Sequence, residues 1–231
     1  MTNLCNTNPQ TEQSSQQPFK VPSGKPESNA RYLDFDEVIE NINQNGSDLF
    51  RKRYKVDKKD YNPVYKLVVY HYRDQQHAEE LGIDLRKGLL TVGPVGCGKT
   101  SLMQILQHMK IIDKPYQIVS VRDVCMKFTE KGFSVIREYG ATAQKQAPIF
   151  CFDDLGCEPN TRFFGAQTNV MKEILLSRYD LFMQKGVPTH VTTNLSASEL
   201  ESMYGSRVRS RLREMFNQIV FPADSYDKRR L

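Results

Sequence analysis

A chain of 231 residues is long enough for one α/β domain with a sizeable core and a smaller appendage. Its hydrophobic share of 39%, with 12 Phe and 11 Tyr, is ordinary for a globular protein. No run approaches about 18 apolar residues, which excludes a membrane-spanning helix. The net charge of +5 permits contact with nucleic acid without requiring it.

Residues 1–30 are rich in Asn, Gln, Ser, Thr and Pro and lack the charged-then-apolar pattern of a secretory signal. Such a stretch buries too little surface to offset its ordering entropy, so it is expected to be a disordered tail. Residues 31–61 are expected to form a small helical segment before the main domain, with one helix from Tyr32 and another over 48–54. Asn62 and Pro63 then open a longer helix predicted to run to about Glu80.

Strand and helix patterns alternate from there. Gly88 to Val92 is a short apolar strand, and the helix after it carries Leu102, Ile105, Leu106 and Met109 on one face. Further strands are predicted at 116–121, 149–152, 190–193 and 218–221. Between them lie helical stretches to about Tyr139, over 166–184, after Ser196 and over 206–216. Ser196 and Glu199 form a capping box. Strands separated by helices imply a five-stranded parallel sheet with helices on both faces, an α/β fold filling residues 62–231.

The first strand runs into Gly93, Pro94, Val95, Gly96, Cys97, Gly98, Lys99 and Thr100, followed by Ser101. This matches the phosphate-loop pattern G-x-x-x-x-G-K-[ST]. Its glycines let backbone N–H groups close on phosphate oxygens, and the next helix presents its positive end. Lys99 can reach the β- and γ-phosphates, while the Thr100 hydroxyl can ligate Mg²⁺. The strand and helix flank the loop as the mechanism requires, so ATP or GTP binding is expected.

The strand ending in Asp153 and Asp154 delivers two carboxylates to the sheet edge where phosphates would lie. Asp153 is expected to hold Mg²⁺ through a water, and Asp154 to orient or deprotonate an attacking water. Asn194, at the polar tip of the next strand, could help position that water, or could be a turn residue. Arg207 and Arg211 share one face of a basic helix. They read either as a solvated surface or as a finger supplied to a neighbour's ATP. Arg229 and Arg230 follow the last strand, as a second phosphate sensor or a charged tail. The run Arg51, Lys52, Arg53, Lys55, Lys58 and Lys59 reads as a solvated helix face or a contact to nucleic-acid phosphate. None of the five cysteines forms a C-x-x-C pair, so reduced cytosolic thiols are expected rather than a zinc site or disulfides.

The order of these motifs resembles the AAA+ ATPases of the DnaC/DnaI helicase-loader and IstB transposition-helper group. The residues that carry it are Gly93 to Thr100, Asp153 to Gly156, Asn169 with Arg178 and Tyr179, Thr192 to Leu195, and Tyr204 to Leu212. The resemblance covers residues 62–230. It implies a P-loop NTPase core of the AAA+/ASCE type without a substantial helical lid. It also implies Asn194 as first sensor, Arg211 as the finger and Arg229 as a candidate second sensor. Cytoplasmic action is implied too, with ATP-dependent self-association on single-stranded DNA and contact with a hexameric replicative helicase. Most relatives carry Glu at the position of Asp154. The shorter side chain predicts slow hydrolysis, as in a switch rather than a motor. A transposition helper uses the same core and remains an alternative reading. A P-loop kinase suits the arginine-rich segment less well, and a regulatory ATPase that has lost hydrolysis is a further possibility.

Overall fold

The computed structural model describes residues 19–21, 31–109, 115–140, 147–158, 162–163 and 166–228. Five strands form one all-parallel sheet: β1 (Gly88–Val92), β2 (Gln117–Ser120), β3 (Phe150–Leu155), β4 (His190–Thr193) and β5 (Phe216–Val220). Their spatial order is β2-β3-β4-β1-β5. In sequence, β2 separates the phosphate loop from the acidic pair, but in space it lies at the sheet's edge. The strand between β1 and β3 is β4.

Nine α-helices are described: α1 (Phe35–Phe50), α2 (Tyr61–Tyr72), α3 (Gln75–Glu80), α4 (Lys99–His108), α5 (Val121–Lys131), α6 (Ser134–Tyr139), α7 (Val170–Lys185), α8 (Ala197–Tyr204) and α9 (Ser206–Met215). Alternation along the strands sends Leu89 and Cys151 to one face, where they meet α1, α2 and α4. It sends Leu90, Phe150, Phe152 and Val191 to the other, against α5, α7, α8 and α9. Burial on both faces is why β1 and the first half of β3 read as apolar runs. No described helix is long and apolar enough to cross a membrane. Among the described residues no helical unit follows β5.

Several expectations for the N-terminal part shift. The two short helices expected over Tyr32–Tyr54 are one 16-residue helix, α1, with Val38, Ile39 and Ile42 buried against the main core. It stops at Arg51, whose backbone is left-handed at φ 51°. Residues after that form an extended strap, not the expected helix. Of the tail expected to be unstructured, Phe19–Val21 is described and pairs antiparallel with Arg31–Leu33; the remainder lies outside the described residues.

The helix expected over 62–80 breaks in two. Arg73 turns left-handed at φ 56°, and the Asp74 carboxylate caps α3 by accepting from the His77 N–H at 3.1 Å. Asp60, not Asn62, stands at the N-cap of α2, yet its carboxylate makes no cap bond. The capping box at Ser196 and Glu199 forms as the sequence requires. Arg178 of α7 is fully buried. It donates to Thr189 Oγ1, Pro148 O and Pro188 O and lies over the Phe150 ring, tying the starts of β3 and β4 to the helix.

Candidate nucleotide site

The C-terminal ends of β1, β4 and β3 lie side by side, which places three motifs distant in sequence around one cleft of about 350 Å³. The loop after β1 is held to β4 by the Gly93 N–H, which donates to Thr193 O at 3.2 Å. Gly96 and Gly98 adopt φ of 84° and 98°, a region that strongly favours glycine, so the loop can curl before α4 begins at Lys99. Lys99 is buried, and its ammonium donates to the carbonyls of Gly93 at 2.8 Å and Pro94 at 3.0 Å. A phosphate oxygen carries full charge and is a stronger acceptor than either carbonyl.

Thr100 Oγ1 donates to Asp153 Oδ1 at 2.7 Å, which joins the phosphate loop to the acidic strand. The same carboxylate oxygen accepts from Thr192 Oγ1 at 2.6 Å, and Thr192 Oγ1 accepts from the Asp154 N–H at 3.0 Å. The hydroxyl of Thr192 on β4 therefore sets both acidic residues of β3. Pairing between these strands shifts register between Phe152 and Leu155, and Asp154 sits at φ 59°. Such a bulge re-aims side chains at a strand end. Here Asp153 meets Thr100 while Asp154 is exposed and lines the cleft.

Thr100 and Asp153 are hard oxygen donors of the kind Mg²⁺ prefers. Among the described residues no group of three or more His, Cys, Asp or Glu could hold a metal ion. A site with so few protein ligands suits Mg²⁺, which keeps waters and takes its other ligands from phosphate. Those two residues would hold the ion.

Asn194 is exposed at the tip of β4 and lines the same cleft, as do Val95, Gly96, Gly98 and Ser101. Cys97 and Cys157 flank the phosphate region. Burial pushes both thiols up, and for Cys157 the Asp154 and Glu158 carboxylates add to it. Neither is poised as a thiolate at neutral pH. Cys97, Cys125, Cys151 and Cys157 are all free. Arg211 is not in this cleft. Its guanidinium stacks 4.6 Å above the Tyr179 ring, and the Tyr179 hydroxyl donates to Glu214 at 2.8 Å. Arg229 and Arg230 lie outside the described residues.

Sequence reasoning missed three features. One is Thr192, although its spacing of two from Asn194 puts both on one side of the strand. Another is the strap: Lys52, Arg53, Tyr54 and Lys55 form a wall of the cleft rather than a helix face. Tyr54 packs over Gly46, where a Cβ would come within 2.6 Å of the ring, and its buried hydroxyl has no partner among the described residues. The third is Lys228, which also lines the cleft; in sequence it is one of a run of cations after the last strand, with nothing to set it apart from Arg229 and Arg230.

The sequence pattern of the AAA family, described as the ATPase family associated with various cellular activities, matches residues 89–213, more than half of the chain. The proteasome-activating nucleotidase of Pyrococcus abyssi is 30% identical over 114 residues, 47% of this chain and 28% of the relative. The ATP-dependent zinc metalloprotease FtsH of Acidimicrobium ferrooxidans is 35% identical over 136 residues, 56% of this chain and 20% of the relative. The match thus spans under a third of either relative's length. A crystal structure of the DnaC helicase loader superposes with a TM-score of 0.50 at 18% identity, covering 72% of this chain and 92% of that one, which shows a shared fold. With a parallel P-loop sheet in this strand order and the family pattern running from β1 into α9, the chain belongs to the AAA family of ATPases.

Proposed function

We propose that the chain binds ATP with Mg²⁺ in this cleft, hydrolyses it slowly, and uses the cycle as a switch when it loads a hexameric replicative helicase onto single-stranded DNA. The observation that carries the nucleotide reading is the Thr100–Asp153 hydrogen bond at 2.7 Å, which joins the phosphate loop to the acidic strand at the mouth of one cleft. Bound Mg²⁺ would offset charge on the β- and γ-phosphates. Lys99 would exchange its carbonyl partners for phosphate oxygens, and the positive end of α4 would face the same charge.

Asp154 and Asn194 flank the space beyond the loop, where an attacking water would be held. Asp154 is one methylene shorter than glutamate, so its carboxylate reaches less far toward a water beyond the loop. Slow basal turnover follows. Arg211 stands outside its own chain's cleft on the face of α9, which supports a role toward a neighbour's ATP and hence an assembly. Arg229 is kept as a candidate second sensor. The loader role rests on the motif order and on the fold shared with a DnaC helicase loader. In this reading residues 62–231 are the ATPase core, and residues 31–61 are a pre-core element whose helix α1 packs on the same core.

The test is ATP hydrolysis with and without single-stranded DNA, for wild type, Lys99→Ala and Arg211→Ala. DNA is expected to stimulate the wild type, and both variants are expected to lose turnover. Mixing wild type with Arg211→Ala should restore part of it. If Arg211→Ala hydrolyses normally and DNA changes nothing, the shared site and the loader role both fail.

A further inference from the structure

After β5 the chain folds back along the phosphate loop, and Lys228 is the residue that fastens it. The Lys228 backbone N–H donates to Gly96 O at 3.0 Å. Its ammonium donates to Cys97 O at 2.7 Å and to Asp60 Oδ2 at 2.9 Å. Asp60 is fully buried at the start of α2, and its other oxygen accepts from Ser225 Oγ at 2.6 Å. This explains why Asp60 makes no helix cap: both oxygens serve the segment after β5. The loop is shaped for the contact. A Cβ on Gly96 would fall 2.0 Å from Asp227 Oδ1, and one on Gly98 would fall 3.0 Å from Lys228 Cδ.

We propose that Lys228 is a positioning residue for the phosphate loop, pinning the carbonyls of Gly96 and Cys97 to the segment after β5 so that the loop presents the Gly98 N–H to phosphate. The C=O and N–H of a trans peptide point in opposite directions. A Cys97 carbonyl held by the Lys228 ammonium therefore turns the Gly98 N–H away from the lysine and into the loop, where phosphate oxygens would lie. Asp60 supplies the counter-charge that lets an ammonium be buried there, since a lone buried charge would be strongly unfavourable. The segment after β5 thus preorganises the anion site and joins it to the start of α2. The inference rests on the reading of the cleft as an ATP site.

Binding of a fluorescent N-methylanthraniloyl ATP and melting without nucleotide, measured on the full chain, test it together. Lys228→Met is expected to weaken binding by about tenfold or more and to lower the melting temperature, because it strands Asp60. Adding Asp60→Asn removes the stranded carboxylate, so the double variant should regain much of its melting temperature while its affinity stays low. If affinity returns with stability, or if Lys228→Met binds as tightly as wild type, Lys228 only holds the fold and the proposal is overturned. Lys99→Ala separates the two readings. Should it bind the nucleotide as well as wild type, the ATP site itself is wrong and the proposal falls with it.

Discussion

Replacing Thr192 by Val tests whether one β4 hydroxyl sets the acidic pair. Valine has nearly the same shape, so the packing of the buried strand is retained while Oγ1 is lost. Two hydrogen bonds go with it: donation to Asp153 at 2.6 Å and acceptance from the Asp154 N–H at 3.0 Å. The first involves a carboxylate and contributes about 1.5–3 kcal/mol; the second contributes about 1 kcal/mol. A loss of about 3 kcal/mol corresponds to a fall in melting temperature of about 6–12 °C for a domain of this size. Function should fall further than stability implies, because Asp153 then loses one of the two hydroxyls that hold its Oδ1 and the Asp154 N–H loses its acceptor at the bulge. Nucleotide affinity measured in EDTA should change little, whereas the gain in affinity on adding Mg²⁺ should shrink and turnover should drop about tenfold or more. A variant that melts within 2 °C of wild type, by the same conversion under about 1 kcal/mol, and responds normally to Mg²⁺ would refute the argument.

Other regions give sharp expectations. His71 on α2 and His190 on β4 are buried, and burial lowers them to about 4 and about 3. Their stabilisation is complete above the unfolded value near 6.5 and is lost as pH falls toward the folded values. Between pH 7 and 5 each should remove about 2 kcal/mol; melting curves that stay flat over that range would contradict this, and His190→Asn should roughly halve the slope. Tyr54→Phe deletes a buried hydroxyl that lacks a partner among the described residues. It should be neutral or stabilise by about 1 kcal/mol, and chemical denaturation showing a clear loss would mean the hydroxyl is satisfied. Arg178→Met leaves Thr189 Oγ1 and two proline carbonyls without their donor. We expect a loss of about 3 kcal/mol with ATP affinity unchanged; equal stability in urea titration would show that the guanidinium is dispensable.

The parts legible in the sequence are those governed by neighbouring residues. Gly96 and Gly98 announce left-handed turns, and both adopt them. Ser196 and Glu199 satisfy one another three residues apart, and the strand expected at 190–193 forms with the same bounds. Each rests on backbone preferences or on contacts within a single turn, so order along the chain is sufficient information. The setting of the phosphate-loop pattern is equally local: a strand leads into it and a helix leaves it, as expected.

What the chain could not announce is which strands become neighbours and which distant side chains meet. The strand between the phosphate loop and the acidic strand is β4, not β2, and only that arrangement brings Thr192 to Asp153 across 39 positions. The basic run after Phe50 has a helix-like composition. It is drawn out as a strap because Arg51 ends α1 and Tyr54 packs over Gly46. Asn62 reads as the helix cap, but Asp60 takes that place and its carboxylate meets Lys228, 168 positions away, because burial demands that its charge be paired. Local propensity set the elements and the loop; long-range pairing of buried polar groups, which leaves no periodic trace in sequence, decided how the site is held together.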